Sequence, residues 1–234
     1  MLSITITSDG GLSNGKNSVY HLPHKVKEIF EMSSTRIGVL CENEDVHTLS
    51  ILRGRIQSHS STLHSGVKIV SPVLYTTAGD NRDYPVAHLM INENNEYWVL
   101  QNDNRMNRVA GQLLRVDDIL SIKNSVIVTQ DHKLYRLVRS STYSLVRYQC
   151  STSIIDATPF NARSEVLILD GSHKLLVCDK YSVVNLSTYN SLVPEVRVSQ
   201  FESSNIGVIQ FSDDVTRYTV NNDYSIRGVP IVQE

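Results

Sequence analysis

Short polar turns recur along this chain, each flanked by two apolar strand-like runs, and their spacing restricts the fold more than any other feature. Aligned on their tips, the turns put Asp9, Asn43, Asn94, Asp131, Ser172 and Asp213 at equivalent positions, so that successive tips lie 34, 51, 37, 41 and 41 residues apart. A period of about 40 residues with about four short strands each is the pattern of a β-propeller. Two β-sandwich halves are the competing all-β reading, because closely spaced turns alone allow both.

The clearest unit runs from Val116 to Leu137. It reads as a short strand over Val116–Ile119, a break at Lys123-Asn124, an apolar strand over Val126–Thr129, a turn over Gln130–Lys133, and a return strand from Leu134. Tyr143–Tyr148 is an additional strand. Other units show the same layout, with central strands at Ile37–Cys41, Val86–Ile91, Glu165–Leu169 and Ile206–Phe211 and returns at Val46–Leu52, Glu96–Leu100, Lys174–Cys178 and Val215–Val220. First strands are expected near Val26–Ile29, Val67–Val70 or Val73–Tyr75, Ser153–Ala157 and Val196–Val198. Residues 24–32 also fit a 3.6-residue period, but the recurring layout favours a strand. Arg53–Gly66 holds four serines and two histidines and reads as a surface insertion, and Gln101–Arg108 reads as a polar loop.

At the N-terminus, Leu2, Ile4 and Ile6 alternate with Ser3, Thr5 and Thr7 before Asp9-Gly10-Gly11, which is a strand entering a hairpin. Val229–Val232 reads as the first strand of a unit whose hairpin is Leu2–Leu12. Joining them gives six complete units and removes an open sheet edge. The expectation is therefore one domain over 1–234, a six-bladed β-propeller closed by pairing its N- and C-terminal strands.

Composition is that of an ordinary soluble globular chain, with 41% hydrophobic and 20% charged residues. A net charge of -2 offers no global basic field, and the eight Lys/Arg against four Asp/Glu in 101–150 are dispersed, so nucleic acid is not an expected partner. Three cysteines, Cys41, Cys150 and Cys178, lack a Cys-x-x-Cys spacing. They suggest neither a disulfide framework nor structural zinc, and fit reduced thiols in an intracellular protein, cytoplasmic or nuclear. No leader is recognisable, and no run approaches the roughly 18 apolar residues that span a bilayer, so no membrane insertion is expected.

The chain carries no Gly-x-Ser-x-Gly, Walker, His-Glu-x-x-His or Gly-x-Gly-x-x-Gly motif. His21, His24, His59 and His64 lack acidic or Cys partners at metal-ligand spacing and read as exposed loop residues. His47, His132 and His173 fall in or just after equivalent turns on different units and cannot share one ion. Asp117-Asp118 starts a strand, where neighbouring side chains diverge. The expectation is a non-enzyme without cofactor or metal. Tyrosines recur near strand ends, at Tyr84, Tyr97, Tyr135, Tyr143, Tyr148, Tyr181, Tyr189 and Tyr218, and read first as packing between blades. Tyr97 and Trp98 with Arg105 and Arg108 are the candidate interaction surface, because Tyr, Trp and Arg dominate interface energetics.

Gly111-Gln112-Leu113-Leu114, Val116–Ile119, Val126–Thr129, Asp131 and Leu134-Tyr135 occur in the order of the regulator-of-chromosome-condensation repeat, and Thr7-Ser8-Asp9-Gly10-Gly11-Leu12 matches its turn. The chain resembles that family, in a glycine-poor form: 11 glycines in all, with Leu114 where the repeat has its last Gly. The resemblance implies a propeller, and known members include a nucleotide-exchange factor for a small GTPase. The favoured expectation is a scaffold for protein–protein interaction, including a structural subunit of a larger assembly or viral particle. An exchange-factor-like regulator and a carbohydrate-binding propeller, its tyrosines stacking on sugars, are the alternatives.

Overall fold

The recurring turns are one piece of backbone used repeatedly. At the five aligned tips among the described residues, the residue after the tip takes a left-handed conformation: φ is 81° at Gly10, 67° at Glu44, 59° at Asn95, 59° at His132 and 58° at His173. The N–H of each donates to the carbonyl three residues earlier, as from Glu44 to Cys41 at 2.9 Å and from His173 to Asp170 at 2.9 Å. The preceding strand then closes the loop, with Cys41 N–H donating to Asp45 O and Asp170 N–H to Lys174 O. This is a three-residue hairpin loop, a type I turn followed by a left-handed residue. Asn104 at 70° and Tyr224 at 65° repeat it in two further hairpins. Side chains pin several of these loops: Asn92 Oδ1 accepts from the N–H of Asn94 and Glu96, and Asp170 Oδ1 from those of Ser172 and Lys174.

The computed structural model describes the chain except for residues 1–3, 16–18, 74–86, 112, 125, 151, 161–164, 187–202, 206–207, 213–215, 222 and 232–234. Its strands form six antiparallel sheets, each a meander in chain order. The first sheet holds β1 (Thr5–Ile6), β2 (Leu12–Ser13) and β3 (Val19–Tyr20). The second holds β4 (Val26–Ser33), β5 (Arg36–Cys41), β6 (Val46–Leu52) and β7 (Arg55–His59). The third holds β8 (Val67–Val73), β9 (Ala87–Asn92), β10 (Tyr97–Gln101) and β11 (Met106–Arg108). The fourth holds β12 (Ile119–Lys123), β13 (Val126–Thr129), β14 (Leu134–Arg139) and β15 (Tyr143–Tyr148). The fifth holds β16 (Ile154–Pro159), β17 (Val166–Asp170), β18 (Leu175–Cys178) and β19 (Val183–Asn185). The sixth holds β20 (Ser203–Asn205), β21 (Val208–Ser212), β22 (Thr216–Asn221) and β23 (Ile226–Pro230).

The described residues up to Val116 make one compact unit and those from Asp117 a second. In the first, Leu12, Ile37, Val39, Cys41 and Leu49 pack between sheets one and two. Leu40, Phe30, Met32, Met90 and Leu100 pack between sheets two and three. In the second unit, β17 sends Val166 and Ile168 toward the fourth sheet and Leu167 and Leu169 toward the sixth. Central strands buried on both faces explain why they read as unbroken apolar runs rather than alternating ones.

Four expectations change. Within 24–32 the chain is a strand from Val26 on, but Arg53–Gly66 is not simply an insertion, since Arg55–His59 is the outer strand of sheet two. It is almost wholly exposed and so shows no apolar alternation. The polar loop 101–108 likewise ends in β11. Val116–Asp118 is a single 3-10 turn ahead of β12 rather than a strand. Finally, Ile226–Pro230 does not begin a unit. The Tyr224 turn folds it back onto β22, pairing Val220 with Ile226 and Thr216 with Pro230, so it ends the sixth sheet. Among the described residues sheet one has three strands and takes none from the C-terminal end. Val73–Tyr75 falls partly, and Val196–Val198 wholly, outside the described residues.

Candidate interaction surface

The Asn104 turn aligns β11 beside β10, setting Trp98 directly opposite Arg108. The Arg108 guanidinium lies over the Trp98 ring at 5.9 Å and reaches Glu96 at 2.9 Å. Its side chain is 61% exposed, so the ion pair is a solvated one and contributes little by itself. Trp98 is half-buried: one side joins the core between sheets two and three, and its ring meets His64 edge-on at 5.3 Å. Trp98 Nε1 and His64 Nε2 are both buried without a hydrogen-bond partner among the described residues. Burial also holds the His64 imidazole below its ordinary value, with the Glu96 carboxylate acting against it.

The four residues expected here therefore separate. Trp98 and Arg108 form one cross-strand pair. Arg105 sits at the hairpin tip, exposed, and binds Asp103 through Nε at 2.6 Å. Tyr97 is not a surface residue: it is fully buried, and its hydroxyl donates to the Leu114 carbonyl at 3.0 Å. The reason is strand alternation, which sends neighbours Tyr97 and Trp98 to opposite faces. His64 and Glu96 belong to the site and escaped sequence reading. A bridge between Val46 and His64 brings that histidine under Trp98, and no local motif announces such a contact.

The remaining histidines are mostly structural. His21, His24 and His59 are exposed, as expected, and the His59 ring, in β7 rather than a loop, bonds the Tyr20 hydroxyl at 2.6 Å. His132 and His173 occupy the left-handed position of their turns, and His47 is buried in β6. His88, inside β9 against Phe30, is 1% exposed, and desolvation pushes it down to about 4. Among the described residues, no three His, Cys, Asp or Glu side chains converge to hold a metal ion. Tyr97, Tyr143, Tyr148 and Tyr218 are buried, while Tyr181 is 78% exposed and Tyr84 and Tyr189 lie outside the described residues. No described helix is long and apolar enough to cross a membrane.

No family model matches the sequence, and no curated protein matches it. Among solved structures the chain is similar to the WD40 domain of SCAP from fission yeast, at TM-score 0.54 and 10% identity, over 89% of this chain and 53% of that one. The chain thus spans about half the length of the WD40 chain it matches. Weaker likenesses are to Kluyvelomyces marxianus Hsv2, at TM-score 0.49, 10% identity, and 97% and 78% coverage, and to BBS1N in complex with ARL6DN, at TM-score 0.48, 12% identity, and 97% and 76% coverage. The likeness to the WD40 domain agrees with the six meandering sheets: the fold is all-β and of the β-propeller kind.

Proposed function

We propose that this chain is a non-catalytic propeller scaffold that binds another protein through the Trp98–Arg108 edge of the third sheet. The observation that carries this reading is an exposed guanidinium stacked on a half-buried tryptophan along a three-residue edge strand. Aromatic and Arg side chains partly fixed by their own packing are what interface hot spots are made of. The test is affinity capture from the native source with wild-type chain, Arg108→Glu, and Arg147→Glu as a control on another outer strand. The expected result is one stoichiometric partner whose recovery falls about tenfold or more with Arg108→Glu alone. A wild-type chain that stays monomeric without a partner, or a partner that tolerates Arg108→Glu, overturns the reading.

We further propose that the chain is one closed six-bladed ring acting inside the cell, as a subunit of a larger assembly or particle; the six antiparallel sheets support the blade count. A ring of this length has a radius of gyration of about 17–18 Å. Scattering that returns a clearly larger value rejects it. The regulator-of-chromosome-condensation resemblance is a second reading; the turn it shares recurs here with residues other than glycine, Glu44, Asn95, His132 and His173, in the left-handed position. An exchange-factor role predicts faster nucleotide release from a small GTPase, and no acceleration across a GTPase panel removes it.

A further inference from the structure

Sheets two to five tie their first strand to the polar turn in one way. The residue before the turn tip donates its N–H to the carbonyl just ahead of the first strand: Glu42 to Lys25 at 2.8 Å, Glu93 to Gly66 at 2.8 Å, Gln130 to Asp118 at 2.9 Å and Gly171 to Ser153 at 2.8 Å. The first strand then opens opposite the last residue of the second, with Val26 facing Cys41, Val67 facing Asn92, Ile119 facing Thr129 and Ile154 facing Asp170. A bulge follows at once in all four. Three residues after the β-branched one comes Ile29, Val70, Ile122 or Ala157.

Sheet one has the same turn but begins one strand later. Its tip, Asp9, lies between β1 and β2, whereas the other tips lie between second and third strands, so β1 corresponds to a second strand. Thr7 N–H donates to Gly11 O at 2.9 Å, as Cys41 does to Asp45. Alternation turns the N–H groups of Ile6 and Ser8 to the opposite edge. Ser8 stands where Glu42, Glu93, Gln130 and Gly171 stand in their hairpins. Ile6 and Ser8 are exposed, and among the described residues their N–H groups have no hydrogen-bond partner. β4 does not cover this edge. It meets sheet one at the turn, Val26 N–H donating to Gly10 O at 2.9 Å, just as Val67 donates to Glu44 O in seating sheet two on sheet three. Nor does β23 supply the strand: it is paired with β22, and Ile231-Val232-Gln233-Glu234 after it puts Glu where the sister strands have an apolar residue.

The sister strands show what this edge accepts. A β-branched aliphatic residue takes the place opposite Thr7, and an apolar one follows three residues on. Charge narrows the choice further. The residue after the aliphatic one is Lys27 in sheet two and Lys68 in sheet three, and Lys68 faces the acidic turn residues Glu44 and Glu93. Sheet one carries Asp9, exposed, at its own tip, which favours a basic residue there too. We propose that the outer edge of β1 binds an extended segment of a partner protein as the first strand of sheet one, reading Val or Ile, a basic residue, any residue, then an apolar residue. Main-chain bonds to Ile6 and Ser8 supply affinity, and the alternate side chains supply selection. This site lies on a different sheet from the Trp98–Arg108 edge and does not rest on it.

The probe is a capped peptide of residues 65–73, Ser-Gly-Val-Lys-Ile-Val-Ser-Pro-Val, added to the intact chain. Saturable binding is expected, with amide exchange slowed about tenfold or more at Ile6 and Ser8 and little changed at Thr7, which is already bonded. The same peptide with Val67→Asp and Val70→Asp should not bind. Ser8→Pro in the chain isolates the edge bond. Ser8 is the second residue of a type I turn, a position that suits proline, so the urea midpoint should hold while peptide binding weakens about fivefold. Each of four results overturns the proposal. The peptide does not bind, or the doubly substituted peptide binds as well. Ile6 and Ser8 are protected in the chain alone, which assigns the edge to a strand of its own. Protection rises with protein concentration alongside a dimer mass, which assigns it to a second copy. A folded Ser8→Pro chain binds the peptide undiminished. The exchange readout uses the wild-type chain, so it decides the matter even where the variant does not fold.

Discussion

His173 occupies a backbone position suited to glycine, and its side chain gains little in return. Its φ of 58° carries the left-handed penalty of a residue with a Cβ, and its Nδ1 is buried without a hydrogen-bond partner among the described residues. His173→Gly should therefore stabilise the protein by about 1 kcal/mol, read as a raised urea midpoint with unchanged slope. A lowered midpoint would show that the imidazole packs better than its geometry indicates. His88 makes the opposite case, a titratable group whose burial is felt through pH. Its folded-state value of about 4 lies below the unfolded 6.5, so the folded protein binds this proton less readily. Stability from this site is complete above pH 6.5 and is lost as the pH falls toward 4, by a total of about 3 kcal/mol. His88→Leu should flatten the fall in urea midpoint between pH 7 and pH 4.5. An equally steep fall in the variant would place the acid sensitivity elsewhere.

Among the elements, the second sheet depends on one missing side chain. Phe30 in β4 lies directly across from Gly38 in β5, and a Cβ at Gly38 would come within 1.9 Å of the Phe30 ring. Gly38→Ala should cost about 2–3 kcal/mol, since the ring has only the packed core to move into. Phe30→Leu in the Gly38→Ala background should recover part of that loss, and a strictly additive double mutant would contradict the contact. Legibility in the sequence follows the same physics. Turn tips were readable because each needs polar residues at a fixed place, and central strands because they are apolar throughout. The outer strands β7 and β11 were not, because a strand wet along most of its length has the composition of a loop. Tyr97 and Trp98 looked like one surface patch because adjacency in sequence is visible, whereas the pleat that separates them is not. Arg108 was named for its composition, but its partnership with Trp98 depends on a register that the Asn104 turn sets.

At the scale of the molecule, the second unit shows what joins consecutive sheets besides apolar burial. Arg136, buried in β14 of the fourth sheet, donates to the Glu165 carbonyl of the fifth at 2.7 Å. The Glu165 carboxylate in turn accepts from the Tyr224 hydroxyl of the sixth at 2.8 and 2.9 Å. Glu165 therefore ties three sheets together through its main chain on one side and its side chain on the other. Tyr224 also holds the left-handed turn that folds β23 back, which explains a bulky residue at φ 65° where glycine would be less strained. A charged acceptor makes this a strong hydrogen bond, so Tyr224→Phe, which keeps the ring against Phe160, should cost about 1.5–3 kcal/mol. Tyr224→Gly should fare no better, because relief of backbone strain is set against loss of both the ring and the bond. Amide hydrogen exchange distinguishes local from unit-wide coupling. Faster exchange in β17 and β14 as well as β22 and β23 is expected for Tyr224→Phe, and a change confined to the β22–β23 hairpin would reduce Glu165 to a local contact.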